Sequence, residues 1–240
     1  MPTSHFILLV ELDPHRTATL AAQLVRLGVE PIRVADLAEA AALVRSRSYS
    51  FSAVFIPTSL AAAHVDQTLA QMRKTETVLP AMAYGKLPDS NQRKALRQAG
   101  VLLALWDGYD DRILRFQLNR LVSGELTSTA RASRRAPTHA ATRMLVGDRE
   151  KQGLLYSLSE GGCFIETPRA SMDGARLRIL FEIDGERFEI ESTVVFANVP
   201  GNLQRPNLPL GIGVRFDSVD DAIRKSIARI ITERLAALEV

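Results

Sequence analysis

Between residues 5 and 122, short continuous apolar runs alternate with stretches in which apolar residues recur every three or four positions. "HFILLV" leads into "TATLAAQLVRLG", where Leu20, Leu24, Val25 and Leu27 keep helical spacing until Gly28 stops the helix. "PIRV" precedes "LAEAAALVRS", and "FSAVFIP" precedes "AHVDQTLAQMRK". "LPAMAY" precedes "SNQRKALRQAG", and "VLLALW" precedes "DDRILRFQLNRLV". These are five β-α units. Strands that are apolar throughout are buried on both faces, so the pattern predicts a doubly wound parallel sheet with helices on each side.

The pattern changes after Val122. "SGELTSTARASRRAPTHAATR" is poor in large apolar residues, and Thr127 to Met144 carry Arg131, Arg134, Arg135 and Arg143 with no acidic residue. It reads as a basic linker. Beyond it, period-two alternation dominates. "ARLRILFEI" and "ERFEIESTVVF" flank Asp184-Gly185, a two-residue hairpin signal, and "PLGIGVRF" adds a further strand. "DDAIRKSIARIITERLAAL" closes as an amphipathic helix with Ile223, Ile227, Ile230, Ile231 and Leu235 on one side. The division expected is a doubly wound α/β domain over 1–122, a linker over 123–136, and over 137–240 an antiparallel sheet curled into a small β-barrel with a terminal helix.

Composition narrows the function classes. Of 240 residues, 46% are apolar and 24% charged, as in an ordinary globular protein, and no apolar run approaches the length of a membrane span. The apolar core at Phe6–Val10 lacks a basic stretch before it and reads as a buried strand, not a secretory signal. Cys163 is the single cysteine, which precludes an internal disulfide and fits a reducing cytoplasm. His5, His15, His64 and His139 are scattered without ligand spacing, so no metal is expected. Neither a phosphate-binding loop nor a nucleophile elbow occurs, and no enzyme is expected. The net charge of +3 is small, and neither a recognition helix nor alternating aromatic and basic strand residues support a nucleic-acid partner.

"ILLVELDP" and the five-unit pattern resemble a response-regulator receiver domain over roughly residues 5–122. That resemblance implies a phosphoryl-transfer site: two acids after the first strand, an aspartate ending the third, a hydroxyl after the fourth and a lysine after the fifth. Phosphoryl transfer needs a carboxylate nucleophile and cations against the spreading charge. Here Glu11 keeps one acid but Leu12 replaces its partner, and Pro57 stands at the aspartate position. Gly85, or at best Tyr84, stands at the hydroxyl position, and Asp107-Gly108 replaces the lysine-proline pair. A pseudo-receiver is expected, without phosphorylation or magnesium, serving packing, dimerisation or partner binding.

Arg131-x-x-x-Arg135, followed 22 residues after Arg135 by Ser157-x-Ser159-x-x-Gly162, resembles the PilZ domain, whose signature is R-x-x-x-R and then [D/N]-x-S-x-x-G on a six-stranded barrel. The resemblance covers about residues 130–240. It implies a non-enzymatic cytoplasmic signalling effector that binds cyclic di-GMP and governs motility, cell polarity or surface behaviour through protein partners; the receiver resemblance adds a homodimer through the last helix of that domain, "DDRILRFQLNRLV", which could equally pack against the barrel. The ligand residues it implies are Arg131, Arg135, Ser157, Ser159 and Gly162, with Arg134 as a further candidate. Guanidinium forks suit guanine edges and phosphate oxygens. Binding would order the linker and swing one domain against the other, and the glycines would bring backbone to the ligand and take positive φ. Ser157 departs from the family's carboxylate or amide. A hydrogen bond to a charged group is worth about 1.5–3 kcal/mol, so its loss weakens binding roughly 10- to 150-fold. The alternative is a ligand-independent adaptor in which both domains are degenerate.

Overall fold

The computed structural model describes residues 5–11, 13–46, 48–60, 62–73, 79–122, 134–205 and 208–240. The chain divides into two compact units, Met1–Ser128 with Leu238–Val240, and Thr129–Ala237.

The first unit contains β1 (His5–Val10), α1 (Pro14–Arg26), β2 (Val29–Val34), α2 (Leu37–Ser46), β3 (Phe51–Pro57), α3 (Ala62–Arg73), β4 (Ala81–Gly85), α4 (Ser90–Gln98), β5 (Val101–Trp106) and α5 (Asp111–Val122). All five strands are parallel, in the order β2-β1-β3-β4-β5. This is the flavodoxin-like order of the doubly wound folds. Successive strand residues point to opposite faces, and each face has its own core. Ile7, Leu9, Phe55, Leu103 and Leu105 pack with Leu20 and Leu24 of α1 and Leu114 and Leu118 of α5. Leu8, Val10, Val54, Ile56 and Ala104 pack with residues of α2, α3 and α4. The continuous apolar runs are explained by this two-sided burial.

Leu238–Val240 follow the terminal helix in the chain yet belong to the first unit. The Ala104 amide donates to the Leu238 carbonyl (2.9 Å) and the Val240 amide to the Leu102 carbonyl (3.1 Å). The buried Gln117 amide donates to Ala104 and Leu238 carbonyls, both at 2.7 Å, and Arg120 pairs with Glu239 at 2.8 Å.

The second unit contains β6 (Arg135–Val146), β7 (Arg149–Ser159), β8 (Gly162–Glu166), β9 (Arg176–Ile183), β10 (Glu186–Val199), β11 (Asn202–Leu203), β12 (Gly211–Phe216) and α6 (Asp221–Ala236). Antiparallel pairing runs β10-β12-β8-β7-β6-β9, and β9 pairs back onto β10, closing a six-stranded barrel with β11 beside β10. The β9–β10 hairpin turns at Asp184 (φ +53°) and Gly185 (φ +83°), the two left-handed residues of a type I′ turn. The Asp220 side chain caps α6 by accepting from the Ile223 amide at 2.7 Å. Ile227, Ile230, Ile231 and Leu235 are buried as the helical pattern predicts.

Candidate functional site

Pairing register determines which side chains share a face. Arg135 pairs with Ser159, Ser159 with Gly162, and Gly162 with Arg215. Two rungs further along, Pro137 pairs with Ser157, Ser157 with Phe164, Phe164 with Gly213, and Gly213 with Phe196. Directly opposed residues point the same way, as do residues two apart on one strand. Arg135, Ser157, Ser159 and Gly162 therefore sit on one face across β6, β7 and β8. The intervening rung of Ala136, Leu158, Cys163, Val214 and Val194 is buried and apolar. It faces the barrel interior.

Arg135 is the first residue of β6, not part of a connecting loop, so its backbone is held by the ladder. Burial of its guanidinium holds its pKa below the ordinary arginine value, and the nearby charge of Arg205 pushes in the same direction. Among the described residues, no carboxylate pairs with Arg135. Arg134 precedes it in an exposed position, and Arg131 lies outside the described residues, as does the linker from residue 123 to 133.

Ser157 and Ser159 are both 3% exposed. The Ser159 hydroxyl donates to the Gly162 carbonyl at 2.8 Å and ties the β7–β8 turn together. Neither Gly161 nor Gly162 takes a positive φ, contrary to the expectation from the motif. A Cβ at Gly162 would press into the Val214 carbonyl oxygen and lie 3.2 Å from the Arg215 Cα, so β12 already occupies that space. A Cβ at Gly161 would meet nothing within 4 Å. Cys163 is buried, and burial pushes its thiol pKa well up, so it is held as a neutral thiol.

The aromatic half of this face has no sequence signature. Phe164 and Phe196 stack with centroids 5.8 Å apart and planes 21° from parallel. Gly213 lies between them in the register, and a Cβ there would penetrate the Phe196 ring. Tyr156 meets Phe164 edge-on at 5.9 Å, and His139 meets Tyr156 at 6.0 Å. At the other end, the Arg205 guanidinium lies 5.8 Å from the Phe196 centroid. A lone arginine in "PGNLQRPN" carries no pattern that would single it out; only the register around a β10 bulge between Val194 and Phe196 reveals its place.

At the C-terminal edge of the first unit's sheet, a cavity of about 330 Å³ is lined by Arg16, Pro57, Thr58, Gly85, Lys86 and Gln92, among others. Pro57 ends β3. Glu11 is engaged by Arg33, whose Nε donates at 2.7 Å. Asp13 caps α1, accepting from the His15 and Arg16 amides at 3.0 and 3.2 Å. Asp107 receives two hydrogen bonds from Arg16 at 2.7 and 2.9 Å, so an acid held by a cation from α1 stands where the receiver pattern has a lysine. The Tyr84 hydroxyl donates to the Val10 carbonyl, and burial raises its pKa. Each nearby carboxylate is thus committed to an arginine or a helix cap. Among the described residues, no group of three or more His, Cys, Asp or Glu gathers to hold a metal, and no helix is long and apolar enough to cross a membrane.

None of the curated proteins matches the chain. Among solved structures, it is similar to an inhibitor of motility from Bacillus subtilis, MotI/DgrA (14% identity, TM-score 0.39, covering 46% of this chain and 53% of that one). It thus spans about half the length of that protein. It is also similar to the receiver domain of the sensor histidine kinase PA1611 from Pseudomonas aeruginosa PAO1 (23%, TM-score 0.44, covering 50% of this chain and 98% of that one). A response regulator from Thermotoga maritima matches at 12% identity and TM-score 0.44, covering 50% of this chain and 98% of that one. The PilZ domain family model matches residues 129–233, and it takes in the barrel strands and most of α6. Residues 129–233 form a PilZ domain.

Proposed function

We propose that the chain is a non-enzymatic cytoplasmic signalling effector whose PilZ domain binds cyclic di-GMP at the face carrying Arg135, Ser157, Ser159 and Gly162. The observation that carries this reading is the rung Arg135–Ser159–Gly162, which brings the second arginine of the first motif beside the serine and glycine of the other across three strands. An arginine held on a strand, with no carboxylate beside it among the described residues, suits an anionic ligand. Arg131 would supply the second guanidinium. The first unit would act as a protein-contact module in a motility, polarity or surface pathway, with no phosphoryl transfer, because Pro57 offers no nucleophile and the surrounding acids are engaged elsewhere.

Calorimetric titration with cyclic di-GMP at low salt tests the reading. Wild type should release or absorb heat on binding, and Arg131→Ala/Arg135→Ala should not. No heat with wild type at high micromolar ligand would refute it. The second reading, a ligand-independent adaptor, is favoured by Ser157, which is short, uncharged and buried. It expects the double arginine variant to keep full activity in cells. Ser157→Asp separates the two: regained carboxylate chemistry should tighten binding about tenfold or more, since a charge-assisted hydrogen bond contributes about 1.5–3 kcal/mol.

A further inference from the structure

We infer that Arg205 is a further ligand-binding residue of the PilZ domain, gripping together with Arg135 one phosphodiester of the bound nucleotide. The inference rests on the cyclic di-GMP reading and adds a contact outside both halves of the motif. Three observations carry it. Phe196 shares the rung of Ser157 and Phe164, on the same face as the rung of Arg135 two positions away, and the Arg205 guanidinium lies over the Phe196 ring. The ring's negative face attracts the cation and holds it on the motif side of the barrel.

The loop that carries Arg205 is tied down from beneath. Asn198, only 1% exposed, accepts from the Arg205 amide at 2.9 Å. Its side-chain amide donates to the Arg205 carbonyl at 2.7 Å and, at 3.3 Å, to those of Leu208 and Pro209. Asn198 is therefore a positioning residue for Arg205. Finally, the Arg205 charge acts on Arg135, and among the described residues neither has a carboxylate partner. Like charges brought together without a counter-ion repel, and a phosphate between them turns that repulsion into two charge-assisted contacts.

The test compares wild type, Arg205→Ala and Arg205→Lys in the full chain by calorimetry with cyclic di-GMP at low and raised salt. Arg205→Ala should bind about 10- to 100-fold more weakly, the loss expected for a charge-assisted hydrogen bond. Its affinity should also depend less steeply on salt, by about one released counter-ion, and Arg205→Lys should keep the salt dependence. Affinity of Arg205→Ala within about twofold of wild type would overturn the inference while leaving the cyclic di-GMP reading intact. A silent wild type would refute that reading, and melting temperatures with inorganic pyrophosphate then decide the phosphate grip. Stabilisation of wild type that Arg135→Ala and Arg205→Ala both lack sustains it. Equal shifts in all three, or none in any, overturn it.

Discussion

Gly162 distinguishes a glycine kept for the fold from one kept for a ligand. A Cβ there would sit inside van der Waals contact with the Val214 carbonyl and 3.2 Å from the Arg215 Cα, both backbone of β12. Neither can rotate away, so Gly162→Ala must push β8 and β12 apart or twist one of them. Overpacking of this kind costs about 1–3 kcal/mol, and rigid backbone neighbours place this case toward the top of that range. Gly161 is the control: it has open space around its missing Cβ and no left-handed backbone, so Gly161→Ala should leave stability nearly unchanged.

Cys163 is a built-in reporter. It is the single cysteine of the chain, 4% exposed, adjacent to Gly162 and on the interior rung of the barrel. A thiol reagent reaches it when β8 opens, so where reclosing is fast the labelling rate follows the opening equilibrium. A loss of about 2–3 kcal/mol raises that rate roughly 30- to 150-fold. Ligand-free Gly162→Ala should show this acceleration, and Gly161→Ala should label at the wild-type rate. Gly162→Ala that labels like wild type but fails to bind nucleotide would refute the reasoning, because the glycine would then serve the ligand alone.

Three further outcomes follow for the first unit. Tyr109 donates to the Gln23 side-chain oxygen at 2.8 Å, and burial, with the Asp107 and Asp111 charges, pushes its pKa up to about 12. A folded value above the unfolded value of about 10 means this stabilisation is intact below pH ~10 and is lost as pH rises toward ~12. Tyr109→Phe should flatten that alkaline loss in urea midpoints, and an unchanged slope would contradict the assignment. Glu239→Ala leaves Arg120, whose side chain is 10% exposed, short of a carboxylate, at a cost of about 1–3 kcal/mol. Trp106, the single tryptophan, reports the transition, and an unmoved midpoint would show the ion pair to be unimportant. A radiolabelled small-molecule phosphodonor should leave no stable label, and label on any aspartate would overturn the pseudo-receiver reading.

What was legible in the chain tracks how local the determining physics is. β1 and β3–β5 announce themselves because both faces are buried, and α6 does so because one helical stripe is. Asp184-Gly185 marks its hairpin because few other residues accept two left-handed positions in succession. The site was half legible. Arg135, Ser157, Ser159 and Gly162 belong to spaced motifs, but their common face depends on pairing register. Phe196 and Arg205 were invisible for a sharper reason. The β10 bulge at Val195 decides whether Phe196 or its neighbour joins the Ser157 rung, and a one-residue slip would send Phe196 to the opposite face. The docking of Leu238–Val240 on β5 is equally non-local, since their partners lie more than a hundred residues earlier.

The departure at Ser157 also changes meaning once the charges are placed. Aspartate at that position would bring a negative charge onto the face shared by Arg135, and part of each guanidinium's field would be spent on it. Serine leaves Arg135 and Arg205 without an internal counter-charge among the described residues. On the proposed cyclic di-GMP reading, a site built this way gives up a carboxylate that would read guanine edge donors and retains a stronger pull on phosphate. The balance therefore moves from base readout toward electrostatic capture, which salt screens and base identity does not. Cyclic di-GMP and cyclic di-AMP carry the same phosphodiester ring, so the ratio of their affinities measures how far that balance has moved. In Ser157→Asp the ratio should rise in favour of the guanine ligand while the salt dependence falls. If the carboxylate leaves both quantities unchanged, position 157 does not face the ligand, and Arg135 and Arg205 hold it elsewhere on the barrel.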